Sequence, residues 1–419
     1  MAPPEARSVG PWQLLALGLN GIVGVGIFFA PSAVAANAPG FAGVAVFLLT
    51  GLALVPAAFL FAVLGGRFDE DGGPVVYARA AFGDLVSFVV GWVAYVSAFL
   101  SASATMAGLA RATLPIIGRE GRLAEGLGAT VLATAIALAV AAGIRVSART
   151  WTTLTVLKLL PLVALLVAFF AGGGPSAAAA VAPADLSWLR AGLTVMFAYQ
   201  GFEIVPVIAG QVRSSARSVP LATVGSLLLA ILLYVGLVWA CVSGLPGLAA
   251  EPAPLAAAAA VHGGPGLGRL VAWGTSVSAL GICFGMMVTT PRYLSALASG
   301  GRELFGLDRL DERGVPVRAL FVTWVLVTVF VNAGELQELF ALSSIAVLAQ
   351  FGVSAAALAE LARRRERGLR PRHALLAVPT VALGLVLVAF GATAREFLVA
   401  LAAALAGLGL AAVAKPRAR

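Results

Sequence analysis

Residues 21–31 read GIVGVGIFFAP, three glycines and a proline set inside a run at about 12–36 that is otherwise apolar. A bilayer crossing takes roughly 20 residues, so the interruption falls near mid-membrane. Glycine permits the backbone angles of an unwound turn and lets other groups approach the main chain. The same kind of interruption recurs at 199–206, YQGFEIVP, followed by Gly210, inside a second apolar run at about 188–210. For either run alone, close helix packing explains the glycines equally well, because small residues favour it in membranes. Two matched interruptions point instead to a pair of broken helices, the pattern that marks a midplane binding site between repeats.

Working outward, the first series continues with apolar runs at about 41–65, 85–110, 126–143 and 151–171. The second continues at about 219–245, 268–298, 317–333 and 338–361, and two more runs lie at 373–391 and 396–414. These predict an all-α polytopic membrane protein of 12 transmembrane helices, forming one transmembrane domain over residues 1–419. It divides into a first five-helix repeat at 12–171, a second at 188–361, and two extra C-terminal spans at 373–414. The stretch 172–187, GGGPSAAAAVAPADLS, reads as a flexible outside connection between the repeats.

Composition agrees. Of 419 residues, 60% are hydrophobic and 11% charged, against about 25% charged in an ordinary soluble domain, which excludes a soluble enzyme. The net charge of +9 could suggest a nucleic-acid partner, but the basic residues sit in short loops between apolar runs, so the lipid bilayer explains them and no nucleic acid is expected. One alternating set of loops holds 21 arginines and lysines and the other 6, with Lys158 left inside a span. Cytoplasmic loops accumulate these residues, so both termini are expected in the cytoplasm of a bacterial-type inner membrane. The tract RRRERGLRPR at 363–372 fits any such loop, with binding of anionic lipid as the alternative. Cys241 and Cys283 both lie inside apolar runs, which gives neither a disulfide framework nor a metal site; no metal or cofactor is expected. The opening MAPPEARSVGPWQ leads into a full-length span, so no removable signal peptide is expected.

A helix broken in mid-membrane exposes free amides at the start of its second half and free carbonyls at the end of its first. The amides following Gly24, those of Val25, Gly26 and Ile27, can receive a carboxylate at a positive dipole end. Carbonyls of Ile22, Phe197 and Gln200 can receive an ammonium. Together they suit a zwitterion. Charges at mid-membrane cost about 2.5–3.5 kcal/mol on insertion scales and are functional candidates by default. Glu203 is the one acid well inside a span, and Lys158 lies deep in TLTVLKLLPLVALL. Lys158 is a candidate proton carrier, or a static ammonium holding carbonyls of the first broken span. Glu203 is a candidate in coupling or gating, or a hydrogen-bonded structural acid. Ser97, Ser101, Phe202, Ser278 and Ser343 are candidates for the side-chain pocket; small Ser and Ala near the site leave room for a medium or large neutral side chain, so a neutral amino acid is expected first.

The segment GIVGVGIFFAP resembles the G-x-x-G-x-G-I-F signature of the amino acid-polyamine-organocation (APC) superfamily of permeases. FAYQGFE at 197–203, RFDEDGGPVVYARAAFG at 67–83, GQVRSSARSVP at 210–220 and TPRYLSALASGGRELFGLD at 290–308 resemble further motifs of that superfamily, in the same order. The resemblance implies a 5+5 inverted-repeat fold of the leucine-transporter type with spans 1 and 6 broken, working by alternating access. It implies that Val25 and Gly26 bind the substrate carboxylate, that Ile22, Phe197 and Gln200 bind the amino group, and that Phe197 is a lid. It further implies that Lys158 stands where sodium-coupled relatives hold an ion, so that protons or exchange, rather than sodium, drive transport. Gln211, Ser214-Ser215 and Arg302-Glu303 depart from the superfamily pattern near the cytoplasmic gate. Export of amino acids or related amines such as polyamines is the alternative within this fold. An intramembrane enzyme is not supported, since His262 and His373 lie in or beside loops and neither H-E-x-x-H nor G-x-S-x-G occurs.

Overall fold

The computed structural model describes residues 9–68, 70–114, 118, 121–143, 148–174, 187–212, 214–299 and 302–416. Long stretches of Ala, Leu, Val and Phe, apolar on every side, can satisfy their backbone within a bilayer only as helices. The chain accordingly forms α1 Pro11–Ile22, α2 Val25–Ala35, α3 Phe41–Gly65, α4 Pro74–Phe82, α5 Asp84–Thr113, α6 Arg122–Ala141 and α7 Ala148–Ala171. The second half forms α8 Trp188–Tyr199, a 3-10 helix Phe202–Gln211, α9 Ser215–Gly244, α10 Pro254–Ser299, α11 Val317–Ala333, α12 Leu336–Arg363, α13 Ala377–Gly391 and α14 Ala394–Val413. Besides helices, the described residues hold only a two-residue antiparallel pairing of Arg302–Glu303 with Lys415–Pro416 and a bridge between Val9 and Val212.

Among the described residues, ten helical stretches, counting α1–α2 as one and α8 with the following 3-10 helix as one, are long and apolar enough to cross a membrane. α7 and α11 fall at the expected fifth and ninth spans. Three elements depart from the sequence reading. α4 is a short helix within the expected loop 67–83, where Gly73 at φ +50° and Pro74 start it and Gly83 at φ +85° ends it. α10 begins at Pro254, 14 residues before the expected start at 268, and kinks at Gly264 (φ +82°). A 3-10 turn Pro371–Leu376 precedes α13.

Packing places the broken elements inside. α2, α8 and α12 are largely buried, whereas α13 and α14 are mostly exposed and form the periphery. α3 packs along α9, α7 along α10, α5 along α12 and α10, and α6 along α11. α2 lies against α8, and α1 against the 3-10 helix. Most of the expected outside connection, residues 175–186, lies outside the described residues, as do Arg145 and Arg213 of the expected cytoplasmic loops.

Candidate functional site

Both expected interruptions are real helix breaks. α1 stops at Ile22 and α2 starts at Val25, with Val23 in a tight turn (φ −70°, ψ 75°) and Gly24 extended between them. α8 stops at Tyr199, and after Gln200 and Gly201 the chain resumes as the 3-10 helix at Phe202. The breaks touch at glycine. Gly201 has φ +124°, and a Cβ there would run into the carbonyl of Gly21 and come within 2.6 Å of the Ile22 nitrogen. A Cβ on Gly26 would come within 2.5 Å of the Ala198 Cα, so Gly26 is also the seat of α2 on α8. Gly24 differs, because the nearest atoms to a Cβ there are the carbonyl oxygens of Ile22 and Gly21 at 3.6 and 3.8 Å.

The two faces of the first break are dressed differently. Among the described residues no side chain caps the N-terminus of α2 or competes for the amide end at Val25, Gly26 and Ile27. The carbonyl end of α1 is held. Lys158, 5% exposed, donates from Nζ to the carbonyls of Asn20 at 2.9 Å and Val23 at 2.6 Å. The Tyr234 hydroxyl donates to the Ile22 carbonyl at 2.7 Å, and the Gly24 amide donates to the same oxygen at 2.6 Å. A carbonyl has two lone pairs, so both of those at Ile22 are engaged. Tyr234 itself is fixed by Tyr199 and Phe47, whose rings lie 5.2 and 6.5 Å away.

At the second break the Gly201 amide donates to Glu203 Oε2 at 2.8 Å, so this half-buried carboxylate closes back on its own turn. Phe197 stacks on Phe340 of α12 with ring centroids 4.3 Å apart. Gln200 reaches a polar row: Ser343 Oγ donates to its Oε1 at 3.1 Å, its Nε2 donates to Ser344 Oγ at 3.4 Å, and Ser101 meets Ser343 at 2.7 Å. Ser97 and Ser278 are buried, and Ser278 Oγ has no partner among the described residues. Phe202, expected as pocket lining, is fully buried and packs edge-on against Phe61 and at a tilt against Phe351.

The structure therefore gathers Ile22, Gly24, Val25, Gly26, Phe197, Gln200, Glu203 and Lys158 around one crossing. Tyr234, Phe340, Ser344 and Asn20 join them without having been singled out in the sequence. Tyr234 carried the clearest missed signal, since a tyrosine in the middle of an apolar span needs a partner for its hydroxyl. Among the described residues no group of three or more His, Cys, Asp or Glu side chains is arranged to hold a metal. A cavity of about 480 Å³ between α6, α10 and α11 is lined by none of the expected site residues.

Residues 9–406 match the amino acid permease family. The cationic amino acid transporter 3, mitochondrial, of Arabidopsis thaliana is 25% identical over 369 residues, a match that covers 83% of this chain and 61% of the relative. The chain thus spans less than two thirds of that protein's length. An uncharacterized transporter of Mycobacterium bovis is 29% identical over 420 residues, with 97% of this chain and 90% of the relative covered. Among solved structures, the manganese transporter of Eremococcus coleocola, in complex with an aromatic bis-isothiourea substituted compound, superposes with a TM-score of 0.61 at 16% identity. That match covers 96% of this chain and 94% of the other, a likeness of fold alone.

Proposed function

Because the chain belongs to the amino acid permease family, matched across residues 9–406, we propose that it is a secondary active transporter of amino acids with 12 spans in a 5+5 inverted repeat. The packing supports the repeat. Exchanging each span of the first five with its counterpart in the second turns the α7–α10 pair into α12–α5 and the α1–α9 pair into α8–α3, and all four contacts occur. The pairs α3–α9, α5–α10 and α6–α11 map onto themselves. An even span count and the arginine-rich loops put both termini in the cytoplasm.

The observation that carries the reading is the glycine-to-glycine crossing of two helix breaks, with the uncapped start of α2 beside it. The substrate carboxylate binds the amides of Val25, Gly26 and Ile27. Its ammonium takes the carbonyls at the end of α8, those of Phe197 and Gln200, and Ile22 joins when Tyr234 releases it. Phe197 on Phe340 closes over the ligand. A neutral side chain is favoured, because Ser101, Ser343, Ser344 and Gln200 supply hydrogen bonds and no carboxylate. The Arabidopsis relatives' names favour a cationic amino acid as the second reading, and Glu203 is its one possible counter-charge. When protonated, Lys158 holds the carbonyl end of α1 through charge-assisted hydrogen bonds; loss of its proton would leave weaker, uncharged bonds there and loosen that end, which couples protons to the break.

Uptake of labelled neutral amino acids into proteoliposomes tests this. Uptake into empty vesicles driven by an inward proton gradient is the expected result, and a requirement for internal amino acid at any pH would make the protein an exchanger. If no amino acid moves in either direction, the substrate class is wrong, and polyamines and exported metabolites come next.

A further inference from the structure

The linker between α12 and α13 is strongly basic, and part of it is unneutralised. Arg363 and Arg364 pair with Glu360, Arg364 also with Glu366, and Arg367 with Glu70. Arg365, Arg370 and Arg372 are exposed, with no ion pair among the described residues. Arg67, Arg370 and Arg372 all lie close enough to act electrostatically on the His373 imidazole, and among the described residues no carboxylate acts on it. Beside this cluster, Leu375 and Val378 are 71% and 68% exposed at the start of the peripheral helix α13. Three guanidiniums thus stand next to an exposed apolar edge at the end of a membrane span, where anionic headgroups lie.

The same cluster is wired to the second broken span. Arg67 donates to the Arg367 carbonyl at 2.9 Å and nests against Gly368, whose φ of +70° brings the turn close. The Arg367 guanidinium lies 3.9 Å from the centroid of Phe68, next to Arg67. A few residues on, the Gly72 amide donates to the Val207 carbonyl at 2.8 Å and Asp71 Oδ1 accepts from the Gly210 amide at 3.0 Å. Val207 and Gly210 belong to the 3-10 helix that follows the Gly201 break.

We propose that Arg67, Arg370 and Arg372 form a headgroup site for an anionic phospholipid of the cytoplasmic leaflet, with an acyl chain along Leu375 and Val378. Its occupancy fixes Arg67 and Phe68 and, through Asp71 and Gly72, the 3-10 half of span six. The proposal rests on the transporter reading for its effect on rate, though not for lipid binding. Each arginine beside an anionic surface raises affinity roughly fivefold.

The test uses purified protein and the double variant Arg370→Gln/Arg372→Gln, which leaves the substrate site untouched. Native mass spectrometry should show wild type retaining phosphatidylglycerol over phosphatidylcholine and the double variant retaining on the order of tenfold less. In proteoliposomes, phosphatidylglycerol should raise wild-type uptake several-fold and leave the variant at its rate in pure phosphatidylcholine. Equal retention and equal stimulation in the two proteins would overturn the site. Stimulation of wild type in phosphatidylcholine vesicles by soluble glycerol phosphate would also overturn it, by showing a free-anion site. Lipid retention without uptake in any vesicle would leave the site standing and remove the transport reading instead.

Discussion

The two helix breaks look alike in sequence and are held by different means. At the first, the carbonyl end of α1 is tied to distant helices, with Lys158 of α7 on Asn20 and Val23 and Tyr234 of α9 on Ile22. At the second, the Gly201 amide is satisfied by Glu203, only two residues along the same chain. The first break is therefore held at its carbonyl end by side chains of α7 and α9, whereas at the second a local bond is joined by the contacts of Phe197 and Gln200 with α12 and by the Gly21–Gly201 crossing. Any signal that moves α7 or α9 reaches the first break directly, while the second follows through the Gly21–Gly201 crossing. The carbonyl end of the first break is thus tied to both repeats, through Lys158 of α7 in the first and Tyr234 of α9 in the second.

The sharpest way to break the comparison is to add one methyl group on each side of it. Gly201→Ala must place a Cβ into the Gly21 backbone at φ +124°, and neither backbone can rotate away as a side chain would. A loss of about 3 kcal/mol or more is expected, seen as a large drop in melting temperature and loss of monodisperse protein. Gly24→Ala adds the same methyl where φ is −111° and the nearest atoms are 3.6 Å away. This variant should fold and melt like wild type yet fail to bind substrate, because the methyl occupies the space the carboxylate enters. Normal uptake by folded Gly24→Ala would move the ligand away from the first break.

Next in size is Lys158→Met, which leaves the Asn20 and Val23 carbonyls without their side-chain donor. Leaving a buried acceptor unsatisfied costs about 1–3 kcal/mol per group, so a measurable loss of thermal stability is expected. The functional readout is separate. Exchange of internal for external amino acid should persist, whereas uptake into empty vesicles should no longer follow a pH gradient. A variant still driven by protons would make Lys158 a static prop and turn attention to Glu203.

Much of this site could be read from the chain because breaking a membrane helix demands glycine, and a charge in an apolar run stands out against its cost. Gly21, Gly24, Gly201, Lys158 and Glu203 were legible for those reasons. Tyr234 was not, since its bond to Ile22 spans 212 residues and a tyrosine in a span carries no mark of which partner it takes. Phe202 shows a second limit. Its place next to Gly201 suggested pocket lining, but helix rotation, which hydrophobic periodicity cannot fix in an all-round apolar span, turns it into the Phe61–Phe351 cluster. Ser101 and Ser343 were legible as small polar residues, but their joining to Gln200 depended on how α5, α8 and α12 pack. The outer part of α10 escaped notice because PLAAAAAVHG at 254–263 is too short to be read as a span.

The smallest expected effect concerns the one carbonyl that the protein and the substrate would share. Tyr234→Phe removes the hydroxyl from Ile22 and keeps the ring that packs on Tyr199 and Phe47. The Ile22 oxygen retains the Gly24 amide at 2.6 Å, so the stability cost should stay near 0.5–1.5 kcal/mol, the net worth of one hydrogen bond. Freed of Tyr234, that oxygen is available to the substrate ammonium at all times. KM should then fall by up to about tenfold, the equivalent of roughly 1.4 kcal/mol, with little change in the maximal rate. A KM that rises instead would mean that the hydroxyl shapes the first break for binding, and that the ammonium is held by the α8 carbonyls of the second break alone.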